Sequence, residues 1–284
     1  MSAFGHFENA NTYKITSTQP PRPLLNYIWN ARILSGVNHQ GGGNGAYGAR
    51  AQAYIDPQGK GRCCVIRDGN RYFYIKDQQT GKVFNPGWYP VKTPVDDFSC
   101  THGLGYSVIT SSCDGLKATA RVFVNAEDPC EIWTVTLENK TSAAKNISLY
   151  SFVEFQLEGY QRYSDYNSYV HGEFDKVHNA IVCFNLAMER PHDWFNGFMA
   201  SDTAPTAFDT SKRAFLGVYG GIFAPEGIAH DSLSNSLAAC EQMVGAMQHD
   251  YVIEPGKAVT LNVIIGAVDS MDTAKTLSKK LIAP

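Results

Sequence analysis

Leu104–Val124 reads LGYSVITSSCDGLKATARVFV, two runs of alternating character joined by Asp114-Gly115. Successive side chains of a strand point to opposite faces, and Asp-Gly supplies the positive φ that a two-residue hairpin turn requires. The segment is therefore expected to be an antiparallel hairpin with one face buried. The same pattern repeats outward in RYFYIKD (Arg71–Asp77), CEIWTVTLENK (Cys130–Lys140), NISLYSFVEFQL (Asn146–Leu157), AIVCFNLAM (Ala180–Met188) and AFLGVYGG (Ala214–Gly221). HDYVIEPGKAVTLNVIIGAV (His249–Val268) adds a second hairpin in outline, with Glu254–Lys257 as its turn. Period-two runs rich in Val, Ile, Thr and aromatics, bounded by turn residues, predict antiparallel sheet.

Helical signals are few. DSMDTAKTLSKKLIA (Asp269–Ala283) has an Asp or Ser cap and a Leu277/Leu281 spacing, and NYIWNARIL (Asn26–Leu34) reads as a short second helix. With no strand-helix-strand rhythm, internal repeat or low-complexity linker, residues 1–284 are expected to form one all-β domain of two packed sheets.

Composition narrows the function. Of 284 residues, 44% are hydrophobic and 18% charged, enough apolar material for a real core. A net charge of -3 with no Lys/Arg cluster argues against a nucleic-acid partner. No window approaches the roughly 18 apolar residues of a membrane span, and MSAFGHFENANTYK has no secretory pattern. The expectation is a cytoplasmic protein with no membrane partner. Seven cysteines without a Cys-x-x-Cys pair then read as reduced thiols, and the sequons at Asn139 and Asn146 as chance matches.

HQGGGNGAYGAR (His39–Arg50) fits G-x-G-x-x-G through Gly43, Gly45 and Gly48, and Asp68 lies where a ribose-binding acid would stand. A dinucleotide loop, however, leaves a parallel strand and opens a helix. Here ARAQAYIDPQG follows and reads as strand, so the glycines are expected to make a tight connection, with lining of a saccharide site as the second reading. No cofactor is expected. Metal-ligand spacings and a Gly-x-Ser-x-Gly elbow are also absent from the sequence.

Several segments in order carry a resemblance. They are FGHFENANTYKIT, PRPLLNYIWN, YFYIKDQQTGKVFNPGWYPV, THGLGYSVI, EIWTVTLEN, FLGVYGG, LSNSLAA, GAMQHDYVIEPGK and LNVIIGAV, spanning Phe4 to Val268. The series resembles the N-terminal β-sandwich of the cellobiose phosphorylase family, inverting glycoside phosphorylases that include the chitobiose, cellodextrin and laminaribiose enzymes. The resemblance implies a large two-sheet antiparallel super-sandwich of the galactose-mutarotase type with few short helices. It also implies that the general-acid aspartate and most phosphate-binding side chains belong to a helical toroid lying beyond a linker, absent from this chain. The chain is then expected to be inactive alone, and to form a homodimer or dock on a separate catalytic chain. In the assembled enzyme, phosphate would cleave a β-glucoside to glucose 1-phosphate.

The family's sandwich reaches a Gln-Arg pair to the partner's active-site rim, just after an acidic F-x-E-F strand. FVEFQLEGYQRYSDYNSY carries Phe152, Glu154 and Phe155, then Gln161 and Arg162. Gln161 can donate and accept hydrogen bonds, and Arg162 offers a planar fork suited to phosphate or sugar hydroxyls. Tyr160, Tyr163, Tyr166 and Tyr169 could stack on a pyranose, or the same loop could be a plain dimer contact. Departures from the family pattern, such as Leu24-Leu25 where Trp is usual, leave the sugar unread.

Two other functions compete. One is a stand-alone carbohydrate-binding module using the tyrosines as a platform. The other is an aldose epimerase, which needs a base and an acid beside the sugar ring; His102, His171 and His178 with Glu154, Glu158 or Glu173 are the candidates.

Overall fold

A computed structural model describes residues 4–43, 45–47, 63–159, 170–185, 196–268 and 270–282. In chain order its strands are β1 (Gly5–Asn9), β2 (Thr12–Ile15), β3 (Leu25–Trp29), β4 (Ile33–Asn38), β5 (Gly45–Tyr47), β6 (Cys63–Asp77), β7 (Val83–Phe84), β8 (Asp97–Gly103) and β9 (Tyr106–Cys113). There follow β10 (Leu116–Val124), β11 (Cys130–Asn139), β12 (Lys145–Gly159), β13 (Val170–Asp175), β14 (Ala180–Asn185), β15 (Asn196–Ser201), β16 (Ala207–Ser211), β17 (Met243–Ile253) and β18 (Ala258–Val268). Helices α1 (Lys212–Leu216), α2 (Glu226–Ala229) and α3 (Met271–Ile282) complete the list.

The strands form two antiparallel sheets. Sheet A runs β1-β2-β8-β9-β10-β11-β18-β15-β14-β13, and sheet B runs β16-β17-β12-β6-β5-β4-β3, with β7 beside β6. In β10, Leu116, Ala118, Ala120 and Val122 point inward, joined from β11 by Trp133, Val135 and Leu137. They meet Phe73, Ile75, Ile147, Leu149, Val153 and Phe155 of sheet B in one core. The Asp114-Gly115 turn has φ of 49° and 72°, as the hairpin reading required.

Sheet B is buried on both faces. Its outer face carries Tyr72, Tyr74, Tyr150, Phe152, Val244 and Ala246, covered by Phe215, Leu216, Ile228 and Leu233 from the segment containing α1 and α2. This explains why β17 is buried from Met243 to His249 instead of alternating. Ala274 and Leu277 of α3 cap the outer face of sheet A against Phe198 and Ile264. Ser270 caps that helix, its Oγ accepting from Thr273 N at 3.2 Å.

Two sequence expectations fail. NYIWNARIL is not a helix but the β3–β4 hairpin, with Leu25 pairing Asn38 and Trp29 pairing Leu34. Asn26 and Ile28 turn inward while Leu25, Tyr27 and Trp29 stay exposed, a period of two. Asn30 closes the turn, its Oδ1 accepting from Arg32 N at 2.6 Å and Ile33 N at 2.8 Å. AFLGVYGG is not a strand. Ser211 caps α1 there by accepting from Ala214 N at 3.3 Å, and Gly217, at φ 86°, ends it.

The glycine stretch joins β4 to β5 as an antiparallel connection, with Ile33 pairing Tyr47 and Ser35 pairing Gly45. β4 is thus followed by an antiparallel partner strand, which is not the strand-to-helix arrangement of a dinucleotide loop, while Gly48 and ARAQAYIDPQG lie outside the described residues. A Cβ on Gly43, at φ 139°, would lie 1.7 Å from Gly36 O and 2.9 Å from Arg71 Nη2. Arg71 itself is 2% exposed and crosses the core to Glu131 of sheet A, which is fully buried. Its Nη1 lies 2.6 and 2.5 Å from the two carboxylate oxygens. Ser35 Oγ and Trp133 Nε1 donate to the same carboxylate at 2.5 and 3.0 Å. Arg71 also donates to Gly36 O at 2.8 Å and Gly41 O at 3.3 Å. The loop thus turns carbonyl oxygens toward a cation, the opposite polarity to a phosphate cradle, which presents N–H groups.

Three histidines are held neutral inside the fold. His102 Nε2 donates to Leu24 O at 3.1 Å while Nδ1 faces Ser107 Oγ at 2.9 Å. His39 accepts from Leu24 N at 3.4 Å and reaches Thr18 O at 3.2 Å, and His249 reaches Thr203 O at 3.1 Å. Burial lowers all three, His102 to about 4. Because the unfolded chain protonates near 6.5, stability is expected to hold above that pH and to fall between 6.5 and about 4. His102 alone should contribute a loss of about 3 kcal/mol. Denaturant melts at pH 7, 6 and 5 read the effect, and His102→Gln should flatten the slope. An unchanged midpoint across this range would contradict neutral burial.

Candidate functional site

β12 leaves regular pairing as it approaches Gly159. Its register on β6 shifts between Val153 and Phe155 and again between Phe155 and Glu158, and Leu157 adopts φ 48°. Such bulges bend a strand and re-aim the chain that follows. Gln161 and Arg162 come directly after this end, as do Tyr160, Tyr163, Tyr166 and Tyr169; all lie outside the described residues. Segments 160–169 and 186–195 both join at one end of β13–β14–β15, because Val170 pairs Asn185 and Phe184 pairs Asn196.

The described part of this rim is a bonded scaffold. Glu154, on the outer face of β12 and 2% exposed, accepts from Asn70 Nδ2 at 2.5 Å and from Lys212 Nζ at 2.8 Å. Lys212 also donates to Gln242 Oε1 at 2.8 Å. Asn70 and Arg71 are consecutive on β6 and face opposite ways, so the rim carboxylate Glu154 and the core carboxylate Glu131 are tied to one strand. Beside them, Ser211 Oγ donates to Glu241 Oε2 at 3.0 Å. A shallow open groove along α1 is lined by Ser211, Arg213, Glu226, His230 and Glu241. Sequence reasoning missed Asn70, Lys212 and Gln242, which reach Glu154 only through the sheet pairing.

The epimerase candidates do not converge. His102 is bonded to Leu24 and Ser107 in the sheet A core margin. His178 sits in the β13–β14 turn, its Nδ1 2.8 Å from Asp175, whose pKa that contact lowers against the raising effect of burial. His171 Nε2 faces Cys240 Sγ at 3.6 Å. Glu154 is held by Lys212, Glu173 is exposed on β13, and the Glu158 side chain lies outside the described residues. Asn139 is fully buried and donates to Ala143 O and Ile253 O at 2.7 and 2.8 Å, so its sequon offers no accessible amide. Among the described residues no group of three His, Cys, Asp or Glu could hold a metal, and no helix is long and apolar enough to cross a membrane.

Two large antiparallel sheets, with sheet B covered on both faces, define a β-sandwich. A bacterial glucoamylase solved with acarbose has this fold, with TM-score 0.52 at 7% identity over 96% of this chain and 37% of its own. The chain belongs to the glycosyl hydrolase 94 family, whose supersandwich domain matches residues 11–284. It is 56% identical over its whole length to a solabiose phosphorylase of Paenibacillus borealis, covering 37% of that protein. It is 28% identical to an N,N'-diacetylchitobiose phosphorylase of Vibrio furnissii, over 93% of this chain and 33% of the relative. The chain thus spans about a third of the length of the curated relatives it matches.

Proposed function

We propose that this chain is the sandwich component of a cytoplasmic glycoside phosphorylase, acting on a disaccharide and inorganic phosphate. It docks on a catalytic region, in the same or a partner subunit, and places Gln161 and Arg162 at the rim of the sugar and phosphate site. The observation that carries this is the bulged, anchored end of β12, fixed by Glu154, Asn70 and Lys212 immediately before the Gln-Arg pair. The exposed stripe of Leu25, Tyr27 and Trp29 on edge strand β3 supports docking, since such a stripe calls for a cover. In this reading the chain itself performs no bond cleavage. It binds, orients and excludes water, while the acid that protonates the leaving oxygen comes from the catalytic region.

Solabiose is the first substrate to try, given the 56% identical relative, with β-glucosides such as cellobiose next. The test is release of sugar 1-phosphate from solabiose by the sandwich assembled with its catalytic region, compared with either part alone. Phosphate-dependent cleavage by the assembly only is the expected result. Cleavage without phosphate would overturn the reading, as would full activity of the catalytic region alone. The same exposed aromatics also suit a carbohydrate-binding module, and retention of the isolated chain on immobilised oligosaccharide would favour that alternative.

A further inference from the structure

Among the cysteines whose side chains are described, Cys100, Cys113, Cys130 and Cys183 are buried, and Cys240 is exposed. It is also held in place. Ala239 bridges His171, Gly172 N donates to Ala238 O at 3.0 Å, and Ala238 N donates to Thr210 Oγ1 at 2.6 Å. Cys240 then adopts φ 55°, a left-handed conformation uncommon outside glycine. This turns Sγ to within 3.6 Å of His171 Nε2. The imidazole is oriented in turn by stacking on Phe184, with centroids 5.6 Å apart and planes inclined by 16°. Two elements distant in sequence therefore converge a thiol and a base, each fixed by its own partner. The charged neighbours are already engaged, Glu241 with Ser211 and Lys212 with Glu154 and Gln242.

We propose that Cys240 and His171 form a reactive thiol–imidazole pair, a modification site for small-molecule disulfides beside the start of β13. The thiol proton passes to His171 Nε2, and the thiolate attacks one sulfur of the disulfide. A bond forms between Cys240 Sγ and that sulfur while the original S–S bond breaks. The departing thiolate takes the proton and leaves as a free thiol, so one half of the reagent is reduced and Cys240 ends as a mixed disulfide. The site stands on the described geometry alone and does not depend on the phosphorylase reading.

Dithiodipyridine, an aromatic disulfide whose product absorbs, is the probe. At neutral pH the native chain should show a fast phase, about tenfold faster than the cysteines of the urea-unfolded chain, because His171 takes up the thiol proton as Sγ attacks. Cys240→Ser should remove that phase. His171→Phe keeps a ring for stacking but has no base, and should slow the phase about tenfold. His171→Gln should do the same and serves where the Phe variant fails to melt cooperatively. A fast phase that survives in Cys240→Ser overturns the assignment. An unaltered rate in both His171 variants overturns the pairing.

Discussion

Replacing Glu131 with Ala is expected to destabilise the fold by about 3–5 kcal/mol, the cost of leaving a buried cation without its partner. Arg71 would keep only Gly36 O, Gly41 O and Ser35 Oγ as acceptors, none of them charged. Trp133 would lose the acceptor of its indole N–H at the same time. For a chain of this size the melting midpoint should fall by about 10 °C. The double variant Arg71→Met with Glu131→Leu should lose much less, because it removes both charges along with the carboxylate and keeps apolar volume between the sheets. A single Glu131→Ala variant that melts with the wild type would mean the pair is solvated in solution and the core is not closed at that end.

The second large effect is expected at Gly43. A methyl group there meets the Gly36 carbonyl carbon and oxygen at 2.7 and 1.7 Å, backbone atoms that cannot swing aside. Gly36 is also the acceptor for Arg71 Nη2, so opening the loop to admit the methyl pulls on the buried ion pair. Gly43→Ala should cost about 3 kcal/mol or more, combining strain at φ 139° with a disturbed network. Gly81 is the control: it has φ 72° but nothing within 4 Å of an added Cβ. Gly81→Ala should therefore cost only about 1 kcal/mol. Equal midpoints for the two variants in urea would show that positive φ alone, and not the contact with Gly36, requires the glycine at position 43.

Much of the architecture was legible because it rests on local rules. Alternation in Leu104–Val124 and the Asp114-Gly115 turn needed no tertiary information, and neither did the Ser270-capped helix. NYIWNARIL misled because a five-residue strand gives only two full alternations, and Asn30 was read as part of a helix when it closes a turn. AFLGVYGG misled because its apolar residues cover the outer face of sheet B, a demand set by neighbours far away in the chain. The Arg71–Glu131 pair was invisible for the same reason, its members lying 60 positions apart. At the rim, the sequence named Glu154 but could not show that Lys212 and Asn70 neutralise and bury it, which makes it an anchor and not an acid. Gln161 and Arg162 lie outside the described residues and rest on the family resemblance alone, since a Gln-Arg pair in a Tyr-rich loop has no chemistry distinctive enough to name a site.

The most direct measurement is kcat/KM for phosphate and for the disaccharide in the assembled phosphorylase carrying Arg162→Ala, with Gln161→Ala alongside. With Arg162 at the proposed rim, its loss should lower kcat/KM by about 10- to 100-fold, with the melting midpoint unchanged. Wild-type kinetics in both variants would contradict the account, leaving the sandwich a docking scaffold that contributes nothing to the reacting sugar or phosphate.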